Sequence, residues 1–132
     1  MKILLIAAAA ASSLVTLPTS PAAAQPAAIQ RTDLSRNDLT VSGREALQVL
    51  VEFGPRSVAP RHSHPGEELV FVVVGSLEYR VEGREPVTLH TGDTLFIPAG
   101  AIHAVTNVGE GRGAELATYI VEKGKQLVTP AE

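Results

Sequence analysis

The chain predicts an all-β domain, a sandwich or barrel of short strands. Three observations lead there. Apolar residues fall in short runs or alternate with polar ones at a period of two. Gly, Pro, Asn and Asp punctuate those runs at close spacing. No long stretch carries helical periodicity with caps at its ends.

The segments follow in order. Lys2, the apolar run Ile3 to Val15, the helix breakers Pro18 and Pro21 and the small residues Ala22 to Ala24 have the anatomy of a secretory leader. The run is shorter than the roughly 20 residues a membrane span needs. Residues 1–24 are therefore expected to be a cleaved signal peptide, and the product to be exported to a periplasm or the medium. Residues 25–40 read as an N-terminal arm or linker, 41–122 as the β-domain and 123–132 as a polar tail.

Within the domain, Leu47, Val49, Val51 and Phe53 alternate with polar neighbours, a half-buried strand. Gly54 to Pro60 reads as a loop. Leu69 to Val74 is a continuous apolar run, expected to be buried on nearly both faces. Gly75-Ser76 is a tight turn, with Leu77 to Val81 returning as the hairpin partner. Val87 to Leu89, Thr94 to Ile97, Ile102 to Thr106 and Ala114 to Val121 complete the candidate strands.

Composition excludes several functions. Loss of Lys2, one of 11 basic residues against 14 acidic, takes the net charge from −3 to −4. That balance does not suit nucleic acid or an anionic membrane. There is no Cys, hence no disulfide framework, thiolate metal site or cysteine nucleophile.

The chemistry-bearing residues are His62, His64, Glu68 and His103. Residues two apart on a strand point the same way, so His62 and His64 share a face. By the same parity Glu68 joins Val70, Val72 and Val74 on one face, a lone carboxylate that needs a partner or a metal. Glu67 then points outward. Three imidazoles and a carboxylate make a cage for one divalent transition metal: iron, manganese, nickel or zinc. His90 reads as surface and Asn107 as a strand-end residue. One of Tyr79 and Arg80 could reach the cavity, but a surface cross-strand pair is the favoured reading, and Thr118 and Tyr119 have the same ambiguity.

The pattern Gly54-(x7)-His62-x-His64-(x3)-Glu68-(x6)-Gly75, followed by Gly92-(x5)-Pro98-x-Gly100-(x2)-His103-(x3)-Asn107, resembles the two motifs of the cupin superfamily. The second motif matches at every specified position. The first has seven residues between Gly54 and His62 where the family usually has five. The resemblance covers roughly Leu47 to Val121. It implies a jelly-roll β-barrel with the metal inside, held by His62, His64, Glu68 and His103.

A +1 centre in a dry barrel favours a small, oxygen-rich, anionic guest. Likeness to quercetin dioxygenases and oxalate-degrading cupins implies a metal-dependent oxidoreductase of dioxygenase type, with Glu68 doubling as proton acceptor. A non-oxidative lyase or isomerase acting on a sugar-acid-like substrate ranks lower, because few acids and bases lie outside the ligand set. A module that binds metal or small ligand without turnover is the third reading. The expected partner is a small molecule, with neither nucleic acid nor, after leader cleavage, membrane. Arg31 to Leu39 is a candidate arm for pairing two copies into a homodimer.

Overall fold

A computed structural model describes residues 28–132. The expected leader, residues 1–24, lies outside the described residues. Among the described residues ten strands form: β1 (Ile29–Asp38), β2 (Arg44–Phe53), β3 (Val58–Ser63), β4 (Glu67–Val74), β5 (Ser76–Val81), β6 (Val87–His90), β7 (Thr94–Ile97), β8 (His103–Asn107), β9 (Gly113–Glu122) and β10 (Thr129–Pro130). They make two five-stranded antiparallel sheets, ordered β1-β2-β9-β4-β7 and β10-β3-β8-β5-β6. The architecture is a jelly-roll β-sandwich with its core between the sheets. Alternation builds that core. Glu45, Leu47, Val49, Val51 and Phe53 of β2 turn inward, and every second residue turns out.

Four local readings change. Gly75 does not close a hairpin. Both edges of β4 are taken, by β7 and β9, while β5 pairs with β6 and β8 in the other sheet. Gly75 is the point where the chain changes sheets. Its φ of 87° favours glycine, and a Cβ there would lie 2.9 Å from the Arg112 carbonyl oxygen.

The loop reading of Gly54 to Pro60 is too long, because Val58 already pairs with Thr106. Residues 29–38 of the expected arm form an edge strand on β2, from Ile29 opposite Phe53 to Asp38 opposite Glu45. Polar side chains along an edge hide the strand pattern.

Nor is β4 buried on both faces. Leu69, Phe71 and Val73 are 47%, 44% and 42% exposed, because no described layer covers the outer face of their sheet. Only Glu68, Val70 and Val72 face the core.

Asn107 ends β8 as a tie between loops. Its buried amide donates to the carbonyls of Phe53, Gly54 and Gly111, and its oxygen accepts from the Gly109 amide. Asn107→Ala leaves those carbonyls without their partner. Urea denaturation is expected to show a loss of about 1–3 kcal/mol; an unchanged midpoint would contradict the role.

Candidate metal centre

The site is built at one end of the sandwich by three segments. The β3 strand carries His62, with His64 just beyond its end; β4 carries Glu68 and β8 carries His103. His62 pairs directly with His103 across the sheet. All four side chains are buried. Between Ala59 and His62 the β3 register slips against β8, a β-bulge at Pro60 and Arg61. Without it, Ala59 and His62, three apart, would face opposite ways. The bulge returns His62 to the interior and lies within the longer first-motif spacing.

Backbone carbonyls orient all three rings. His62 Nδ1 donates to Pro60 O at 2.7 Å, His64 Nδ1 to Leu127 O at 2.7 Å and His103 Nδ1 to Ala101 O at 3.0 Å. A carbonyl oxygen only accepts, so each Nδ1 carries the proton and each Nε2 keeps its lone pair. Ring centroids lie 4.3–5.1 Å apart. Each ring offers a ligand nitrogen within 4.8 Å of the others. Glu68 Oε2 lies 3.3 Å from both His64 Nε2 and His103 Nε2. Yet Glu68 Oε2 and His64 Nε2 are buried without a hydrogen-bond partner. Contact at that distance without donor geometry is what two lone-pair donors aimed at a shared cation would show. The donor set therefore fits a divalent metal.

Gly66 lets β4 reach this position. A Cβ there would overlap the Ile120 carbonyl of β9, so the chain between His64 and Glu68 can lie flat on β9.

Electrostatics support a neutral His62 beside a charged Glu68 carboxylate. Burial drives His62 down to about 4, with His103 and His64 also lowering it. Burial raises Glu68, but its contacts with His103 and His64 outweigh that and hold it at about 2. Burial lowers His103, while Glu68 and the Ala101 carbonyl raise it, for a net rise.

Two tyrosines and one acid were not located by their sequence positions. Tyr79 is buried, not a surface partner of Arg80, because it shares the inward face of β5 with Leu77 and Val81. Its hydroxyl donates to Glu115, an inward acid of β9. Tyr119 resolves inward too: it pairs with Glu68, and its ring centroid lies 4.7 Å from that of His64. The signal that could have found them is the parity of β9, which places Glu115, Ala117 and Tyr119 on one face. Glu67 is half-buried on the outward side and His90 is exposed. The tail carbonyl that holds His64 comes from a segment to which sequence reading gives no role.

The chain matches the cupin domain model over residues 49–122. It belongs to the cupin family. Over 45 residues it is 44% identical to dimethylsulfoniopropionate lyase DddQ of Ruegeria pomeroyi, a match spanning 34% of this chain and 22% of that protein. The crystal structure of that lyase superposes with a TM-score of 0.59 at 27% identity, covering 65% of this chain and 43% of that one. A germin-like protein of Arabidopsis thaliana is 31% identical over 74 residues, 52% of this cupin and 36% of the relative. Oxalate oxidase in complex with glycolate matches in fold, with a TM-score of 0.64 at 21% identity over 81% of this chain and 57% of that one. This cupin thus spans about a fifth to a third of the curated relatives it matches.

Glu115 generates a pH prediction. Burial and the nearby Glu68 charge push its carboxyl up from 4.5 to about 8, against the opposing Tyr79 contact. Between those values the folded chain keeps a proton that the unfolded chain has lost. Stability therefore falls as pH rises through that window. Glu115→Gln, which can still accept from Tyr79, is expected to be more stable than wild type at pH 8, with the gain vanishing toward pH 4.5. Parallel pH profiles of the two urea midpoints would contradict this.

Proposed function

We propose that this cupin is an exported, metal-dependent enzyme acting on a small, oxygen-rich anion, as an oxidoreductase of dioxygenase type. The supporting observation is the cluster of three imidazole nitrogens within 4.8 Å of one another, with the His64 and His103 Nε2 atoms each 3.3 Å from the Glu68 carboxylate. His62, His64, His103 and Glu68 would hold a divalent ion, which would supply Lewis-acid chemistry for a chelating guest. The chain's own residues set the conditions. Carbonyl-anchored rings keep the ligand geometry fixed. The apolar walls Val70, Val72 and Val105 exclude water. Glu68 is the carboxylate placed to accept a proton from the guest. Export rests on residues 1–24 alone.

One specific observation favours a second reading, a non-oxidative lyase or isomerase. The objection from sequence is a shortage of inward acids and bases. The interior holds Tyr119 over the His64 ring and Glu115 with Tyr79 deeper in the sandwich. Both phenols are pushed above their ordinary range by burial and neighbouring carboxylates. They stay protonated and able to donate. The identity to a lyase over 45 residues supports the same direction.

Elemental mass spectrometry on the exported protein, beside His103→Ala, tests the shared core of both readings. The expected result is about one transition metal per chain, lost in the variant. Oxygen uptake with flavonols, diketones or catechol-like compounds then supports the oxidative reading. Metal-dependent turnover that proceeds equally well without oxygen overturns it in favour of the second. A metal-loaded protein with neither activity points to a binding module, and a protein that takes up no metal defeats both enzyme readings.

A further inference from the structure

We propose that the cleft beside His62 receives the carboxylate of a small acid, with Arg31 as its partner and specificity determinant. This rests on the metal-centre reading, because it places the acid's other end at the cage. The cleft has a volume of about 320 Å³. It opens where the edge strands of the two sheets, β1 and β10, face each other. Its walls include Ile29, Arg31, Arg61, His62, Val128 and Pro130.

Strand register puts Arg31 on the inner side of the edge strand, where it remains exposed at the rim. It pairs with Val51, a fully buried core residue, and cross-strand partners project to the same side. Its charge is felt by three interior groups, lowering the pKa of His62, Glu115 and Tyr119. The guanidinium thus lies at the mouth of the interior that holds the cage.

Neighbouring cations are already engaged. Arg36 of the same strand binds Glu45 at 2.7 Å, and Arg61 lies 3.7 Å from Glu82. Arg31 reaches the Tyr119 hydroxyl, a neutral group, and among the described residues no ion pair engages it. One guanidinium fork matches one carboxylate, with two parallel hydrogen bonds. A phosphate dianion would bring a second charge toward Glu68, and the cleft's other cation, Arg61, is shared with Glu82. The apolar walls from Ile29, Ala59 and Val128 suit a short carbon body between the two polar ends. The class is a small hydroxy or oxo acid whose carboxylate is remote from its metal-binding oxygen.

The test titrates the full chain, zinc-loaded and zinc-free, with 4-hydroxybutyrate, its neutral amide and inorganic phosphate, read by NMR shifts. Zinc content is measured on the same samples. Acid is expected to bind about tenfold or more tightly than amide, the size of a charge-assisted hydrogen bond lost. Arg31→Met should abolish that preference, and Arg31→Lys should keep part of it. No saturable binding, equal affinity for acid and amide, equal affinity for phosphate, or a preference that survives Arg31→Met overturns the proposal. A chain that takes up no zinc but keeps an Arg31-dependent preference overturns the metal reading and leaves the cleft standing. A zinc-loaded chain without the preference does the reverse.

Discussion

Three backbone carbonyls, those of Pro60, Ala101 and Leu127, fix the chemistry of this protein's interior. Each takes the Nδ1 proton of one imidazole and so commits the opposite nitrogen to an inward lone pair. The carbonyls come from a bulged strand, the turn entering β8 and the C-terminal segment. Parts of the chain far apart in sequence are thereby tied to one point. Glu68, buried among these rings, is a charge that an apolar core tolerates only with compensation. Contacts with His103 and His64 hold the carboxyl low, while burial, against the pull of the Pro60 carbonyl, keeps His62 neutral.

The two-sheet fold serves this arrangement in specific ways. The crossing at Gly75 sends β4 and β5 to opposite sheets, so Glu68 of β4 faces His103 of β8 across the interior. The bulge at Pro60 and Arg61 turns one residue's worth of slack into both an inward His62 and the carbonyl that orients it. Gly66 supplies the close approach to β9 that aligns Glu68. The β1 strand closes the edge of its sheet and carries Arg31 to the mouth. Ligand placement and fold are thus one problem for this sequence, and single-residue changes at the bulge or at Gly66 would disturb both.

The sequence was legible where physics acts at fixed spacing. Seven strands announce themselves by alternation or short apolar runs bounded by turn residues, and β-parity groups Glu68 with Val70 and Val72, the face that proves to be buried. Legibility ended where the decisive atom has no sequence signature. The Leu127 carbonyl is a backbone group. Arg31 and Asp33 are charged residues on an edge strand, and there charge masks alternation. Tyr79 and Glu115 compensate each other across the two sheets, a contact no local pattern encodes. The apolar run of β4 misled in the opposite sense: its outward residues Leu69, Phe71 and Val73 suggested burial, while only tertiary context reveals a bare face.

The most direct test of the account is imidazole nitrogen NMR on the full chain, before and after one equivalent of zinc. The account predicts that His62, His64 and His103 are Nδ1-protonated, and that zinc shifts only their Nε2 resonances and leaves exposed His90 unmoved. An Nε2-protonated tautomer at any of the three, or rings that ignore zinc, would contradict it.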